Sequence, residues 1–213
     1  MSDFDAVASR LAAIRARVVA AAASAGRDES SVRIVAVTKR LDADAVRAAY
    51  AAGQRDFGEN YVQEAVAKIA MLADEMPDAR WHLVGRLQSN KAAVAVRSFS
   101  LLHGIDSSST VAAIARAASQ HARVADLLLQ VRLVAANGAT APASDGSPAG
   151  QEGTTRAGVD PASAAAFLRE ACVHDGIRFV GLMGVADPDG DAHPQFAALR
   201  ELSVQLAGLG LER

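Results

Sequence analysis

After one leading amphipathic helix, short apolar runs alternate with amphipathic stretches six times, and this alternation constrains the fold more than any other feature of the chain. A strand, a helix and another strand must be joined by a crossover. Such crossovers give parallel strands connected in the right-handed sense. The leading helix places Phe4, Val7, Leu11, Ile14 and Val18 on one face, with Ser2 and Asp5 as a capping box and Gly26 as its stop. Val32, Ile34, Val35, Ala36 and Val37 then read as a buried strand, apolar on both faces, ending at Thr38 and Lys39. Further strands are expected at residues 55–58, 81–84, 99–105, within 124–134 and at 177–183. The helices between them begin at Asp42, at Asn60 (with Gln63 as a second capping box), at Ser89, at Thr110, at Asp160 with Pro161 in its first turn, and at Gln195.

Two architectures satisfy this pattern: an open doubly wound sheet and a closed (β/α)8 barrel. The barrel needs eight strands, and six are counted here. One connection breaks the even spacing. Residues 135–158 are rich in Gly, Ala, Ser, Thr and Pro and lack apolar periodicity. They read as a loop insertion, either a lid over the active face or, the reading preferred here, a tolerated surface insertion.

Composition excludes several function classes. With 51% hydrophobic and 22% charged residues the chain can bury a core. A net charge of -2 and a pI of about 6.2 argue against nucleic acid as the main partner. The one cysteine, Cys172, excludes an internal disulfide and a cysteine-based zinc cluster. Mean hydropathy is +0.13, and no window reaches the roughly 18 uncharged apolar residues of a membrane span. The acidic start lacks the layout of a signal peptide. A cytoplasmic protein without membrane contact is expected.

Both nucleotide-binding glycine loops are absent, and the five histidines show no metalloprotease spacing. Asp187, Asp189, Gly190 and Asp191 resemble part of a calcium loop, but Leu199 and Arg200 fall where its glutamate belongs, so an acidic turn is expected. Lys39 closes the most apolar strand. The C-terminal strand ends of parallel α/β folds form the active face, and an amine at the edge of a desolvated core has its pKa lowered towards nucleophilic use. By position alone, a strand-end lysine reaching for water is the preferred reading of Lys39. Polar and glycine residues gather at other strand ends: Gly58, Glu59, Asn60 and Tyr61, then Gly85 and Arg86, His103 to Asp106, and Gly181 to Gly184.

The runs A-V-T-K (36–39), F-G-E-N-Y-V-Q-E (57–64), W-H-L-V-G-R-L-Q-S-N-K (81–91) and G-L-M-G (181–184) closely resemble the pyridoxal phosphate homeostasis protein family, in the family's order and over nearly the whole chain. The resemblance implies a (β/α)8 TIM barrel of the alanine racemase N-terminal type, here with about six of its eight strand–helix units. It implies pyridoxal 5′-phosphate (PLP) bound as an aldimine on Lys39, with Asn60, His82 and Met183 as ring neighbours on the same rim. Two departures stand out. The family's loop at 135–158 is shorter. The family also continues past this C-terminus, with Ser-Met-Gly-Met-Ser and Val-Arg-Ile-Gly-like runs that hold the phosphate and face the pyridine nitrogen, so residues 1–213 are expected to form one C-terminally incomplete barrel domain.

The expected function is reversible holding of PLP in intracellular PLP homeostasis, without catalysis. The expected state is a monomer, and PLP-dependent apo-enzymes are candidate recipients. The alternatives are a PLP-dependent racemase or decarboxylase, a Schiff-base aldolase using Lys39, and an interaction module without a ligand. A racemase needs a second base on the opposite cofactor face, which alanine racemases bring on another domain.

Overall fold

The computed structural model describes residues 3–133, 157–187 and 190–211. Six strands alternate with helices among them: β1 (Ala36–Val37), β2 (Asp56–Glu59), β3 (Arg80–Arg86), β4 (Leu101–Ile105), β5 (Ala125–Gln130) and β6 (Ile177–Met183). Seven α-helices accompany them: α1 (Asp3–Ser24), α2 (Ala43–Ala51), α3 (Val62–Leu72), α4 (Ala92–Ser98), α5 (Ser108–Gln120), α6 (Ala164–Ala171) and α7 (Ala192–Leu206). The chain divides into two compact units, Met1–Val84 and Gly85–Arg213.

In the first unit β1 pairs with β2 and β2 with β3, all parallel. Ala36 stands opposite Phe57 and Val37 opposite Gly58, while Gly58 stands opposite His82. Successive residues of a strand point to opposite faces, so β2 sorts its side chains in two directions. Phe57 and Glu59 take one face: Phe57 stacks at 5.3 Å on Trp81, and Glu59 bonds to Lys68 of α3. Asp56 and Gly58 take the other. Asp56 meets Arg80 and His82, and a Cβ on Gly58 would lie 3.1–3.3 Å from Val35, Val37 and Val84. The glycine leaves room for three valine side chains.

Strand β1 differs from the expectation. Only Ala36 and Val37 join the ladder, and Val37 is 47% exposed rather than buried. Its one partner among the described residues is β2, which pairs with it only at Ala36 and Val37, so most of the apolar run 32–37 lies outside the ladder. A strand paired on one side keeps an open edge, and a continuous apolar run does not reveal which strand will lie there.

The helices begin largely where their caps predict. Asp42 accepts from the Ala45 amide at 2.9 Å and opens α2, which Gly53 follows with φ +83°. Asp160 accepts from the Ala162 amide at 3.0 Å, but the first turn, Pro161–Ser163, is a 3-10 turn leading into α6. Asp191 caps α7 by accepting from the His193 amide, which accounts for one member of the acidic turn; Asp189 lies outside the described residues. The capping box at Asn60 and Gln63 does not form. Helix α3 starts one residue later, with Tyr61 at the cap position and no side-chain cap bond. In α1, Leu11 is buried but Ile14 is 43% exposed, so the apolar stripe is covered only in part. Ser2 lies outside the described residues, as does nearly all of the 135–158 insertion.

The second unit packs Val111, Ile114 and Ala118 of α5, Leu127 and Leu129 of β5, Leu168 of α6 and Phe179 of β6 in its interior. Strand β5 pairs in parallel with both β4 and β6. Where the described chain resumes after the insertion, Val159 bridges Val131: its amide donates to Gln130 O at 2.8 Å, and its carbonyl accepts from the Arg132 amide at 2.9 Å. The Gly158 amide donates to Asp106 Oδ2 at 3.0 Å.

Candidate functional site

Lys39 sits in the tight turn by which β1 hands over to α2. Thr38 opens the turn and Leu41 closes it, the Leu41 amide donating to Thr38 O at 3.1 Å. Arg40 follows Lys39 with φ 60°, a left-handed conformation that costs a residue with a side chain on the order of 1 kcal/mol. The turn is held at Thr38 from several directions. The Thr38 amide donates to Gly58 O at 2.9 Å. The Thr38 hydroxyl donates to Glu59 Oε1 at 2.7 Å. The Thr38 carbonyl accepts from Lys68 Nζ at 2.8 Å. Lys68 Nζ also donates to Glu59 Oε1 at 2.6 Å, closing a triangle of Thr38, Glu59 and Lys68.

This triangle is shut off from solvent. Glu59 is fully buried, and the Lys68 side chain is 10% exposed. The Glu59 Oε2 atom has no hydrogen-bond partner among the described residues, so the carboxylate is held through its other oxygen. Removing one partner of a buried ion pair leaves the other charge uncompensated, typically at about 3–5 kcal/mol. Lys39, half-buried, makes no hydrogen bond or ion pair among the described residues. Of the two lysines, one has its ammonium tied down and the other has an amine available for a ligand.

Asn60 lies immediately past the end of β2, half-buried. Since the cap of α3 falls to Tyr61, the Asn60 side chain is not spent as that helix's cap. His82 is placed differently from the expectation. In the ladder it stands in the row of Val37 and Gly58, two residues short of the level of Lys39 and Asn60. It shares the Gly58 face of the strands but not their C-terminal ends. There it is 2% exposed, with Nε2 3.0 Å from Asp56 Oδ1. Burial pushes the His82 imidazole below its ordinary value of 6.5, against the pull of Asp56. Burial alone would raise Asp56, but the two Arg80 bonds, at 2.8 and 2.6 Å, and the contact with His82 outweigh it and hold the carboxyl below 3.8.

Met183, in the second unit, is the last residue of β6 and half-buried, so it lies at a C-terminal strand end as expected. Its carbonyl accepts from the Val131 amide at 2.8 Å. Among the described residues no cluster of His, Cys, Asp and Glu is arranged to hold a metal ion, and no helix is long and apolar enough to cross a membrane.

Sequence reasoning named Thr38 and Glu59 only as strand-end residues and missed Lys68. A signal was present. Val62, Ala65 and Leu72 form the buried stripe of α3, and Lys68 falls between them, three residues after Ala65 and four before Leu72. A lysine inside an apolar stripe calls for a buried partner.

Known proteins share this fold and much of this sequence. Residues 5–141 match the family model of the alanine racemase N-terminal domain. The pyridoxal phosphate homeostasis protein of Pseudomonas aeruginosa is 34% identical over 209 residues, covering 97% of this chain and 82% of that protein. Its namesake in Escherichia coli K12 is 30% identical over 204 residues, covering 95% of this chain and 80% of the relative. Among solved structures, PipY of Synechococcus elongatus with PLP bound superposes with a TM-score of 0.74 at 37% identity, covering 96% of this chain and 83% of PipY. The alanine racemase of Streptomyces coelicolor superposes at 0.60 with 23% identity over half of its own length, a likeness of fold alone. By these matches and by its alternating parallel α/β architecture, the chain belongs to the pyridoxal phosphate homeostasis protein family, on the fold of the alanine racemase N-terminal domain.

Proposed function

We propose that this protein holds PLP reversibly through Lys39 and serves PLP homeostasis in the cytoplasm, storing the cofactor or passing it to PLP-dependent apo-enzymes without turning over a substrate. The observation that carries the proposal is the state of Lys39: an unengaged amine, half-buried, in a turn fixed at Thr38 by hydrogen bonds to the neighbouring strand β2 and to helix α3. The residues suit the cofactor. PLP supplies an aldehyde that an amine attacks with loss of water. The chain's part is to present the amine in one place. Lys39 does this, and the pairing of Lys68 with Glu59 keeps the amine of α3 from competing with it. Asn60, at the end of the neighbouring strand, is proposed to line the ring, with His82 supporting that lining from one row deeper.

Turnover asks for more than a bound cofactor, because a proton must be delivered and removed by groups poised near neutrality. Two buried titratable side chains of the first unit are committed elsewhere: Glu59 to Thr38 and Lys68, His82 to Asp56. That supports a carrier. The test is direct. PLP added to the purified protein should produce the absorbance band of the lysine-bound cofactor, and borohydride followed by peptide mass mapping should place the adduct on Lys39. The reading fails if Lys39→Ala keeps the same band with another lysine labelled.

A further inference from the structure

We propose that Glu59 and Lys68 are positioning residues for Lys39, acting through Thr38; this rests on the assignment of PLP to Lys39. The pair is built with a direction. Lys68 Nζ spans from α3 to a carbonyl 30 residues earlier in the chain, and Glu59 Oε1 receives both Lys68 and the Thr38 hydroxyl. Among the described residues, every side-chain hydrogen bond the pair makes beyond its own contact therefore goes to one residue, the one before Lys39.

A buried ion pair is weak evidence for stability, since apolar side chains of similar volume often serve as well or better. Position 68 lies in the apolar stripe of α3, where a leucine would continue the pattern of Val62, Ala65 and Leu72. What a leucine cannot do is hold the Thr38 carbonyl. That carbonyl is the acceptor that closes the turn with the Leu41 amide, and the turn contains the left-handed Arg40. A left-handed residue with a side chain persists where its surroundings over-determine it. Here the surroundings are Gly58 O on the Thr38 amide, Glu59 on its hydroxyl and Lys68 on its carbonyl. The clamp keeps the Lys39 backbone in a single conformation, so the amine meets the cofactor without first ordering the turn, and the entropy of that ordering does not weaken binding.

The experiment compares Thr38→Val, Glu59→Gln and Lys68→Met with the parent, and with Thr38→Ser as the conservative variant. Three readouts are taken: hydrogen exchange of the Leu41 amide, PLP affinity by absorbance titration, and the labelled lysine after borohydride. Lys68→Met and Thr38→Val should speed Leu41 exchange and weaken PLP binding about tenfold, the equivalent of ~1.4 kcal/mol. The adduct should remain on Lys39, and amides of α5 should keep their protection. Thr38→Ser, which retains the hydroxyl, should bind PLP as the parent does. Glu59→Gln tests the same contact from the other side. Should it, or Lys68→Met, which leaves the buried Glu59 carboxylate without its cation, fail to fold, the two Thr38 variants decide the matter, because they leave the Glu59–Lys68 pair intact. The proposal is overturned if the variants melt earlier yet bind PLP within about twofold of the parent, or if Leu41 exchange is unchanged. An adduct on a different lysine in the parent overturns the assignment to Lys39 instead, and Leu41 exchange still reports on the clamp.

Discussion

His82 Nε2 lies 3.0 Å from Asp56 Oδ1, with both side chains almost wholly buried and Arg80 closing the carboxylate from its other side. The burial of His82, which outweighs the pull of Asp56, makes stability depend on pH in a defined direction. The folded chain holds His82 below 6.5, so in mildly acidic solution the unfolded chain takes up a proton that the folded chain refuses. The stabilisation is complete above 6.5 and is lost as pH falls from there towards the folded value. A second loss follows below 3.8, where Asp56, depressed by Arg80 and His82, gives up its charge. Denaturant melts between about pH 8 and pH 5 should show the midpoint falling with acid. His82→Gln should flatten the slope, and an unchanged slope in that variant would show that His82 is not the group responsible.

Gly158 should not tolerate a side chain. Its φ is +116°, and a Cβ there would lie 2.8 Å from Arg132 N and 2.9 Å from Val131 C, both backbone atoms that cannot swing away. Gly158→Ala should cost about 2 kcal/mol or more, through strain and clash together. Gly26→Ala is the control. Its φ is +62° but nothing lies within 4 Å, so only the conformational cost, about 1 kcal/mol, applies. Equal losses in chemical denaturation would mean that the contact at Gly158 contributes nothing.

The PLP-loaded protein should not racemise or decarboxylate amino acids at enzyme-like rates. Glu59 and His82, the acid–base candidates around the Lys39 turn, are bound within their own networks. Chiral analysis and carbon dioxide release should both stay far below the ~10 per second typical of enzymes. A rate of that order would replace the carrier with a catalyst.

The insertion should be dispensable. Its Gly, Ala, Ser, Thr and Pro content offers little apolar surface to offset the entropy of ordering. Replacing residues 137–154 by a short Gly/Ser link should leave the melting temperature and PLP affinity unchanged. A marked fall in either would assign the segment a packing role or a place over the cofactor.

The elements with local punctuation were the legible ones. Strand β6 falls at 177–183 as read, because Gly176, with φ +79°, marks its start and its apolar run is clear. Helix α2 follows from Asp42 and Gly53 in the same way. Where the outcome depends on a distant partner, the reading fell short. The apolar run at 32–37 gives only a two-residue strand, because pairing with β2 begins at Ala36 and nothing in the run itself marks that point. Asn60 and Gln63 have the spacing of a capping box, but the chain turns one residue later. His82 belongs to a recognisable motif, yet the register that puts it opposite Gly58 is a property of paired strands. The Glu59–Lys68 contact joins a strand to the following helix nine residues on, a separation at which no local rule operates.

The stitch of Val159 onto Gln130 and Arg132 has an evolutionary side. The chain leaves β5 and returns at the same spot, tied by two backbone hydrogen bonds and by the Gly158 amide on Asp106. These bonds hold residues 131–132 and 158–159 together. Doubling the length of such a loop costs only about 0.6 kcal/mol in closure entropy. Lengthening therefore meets almost no selection through stability, and the position is open to drift, to acquisition of a new module, or to a reporter domain grafted at the bench.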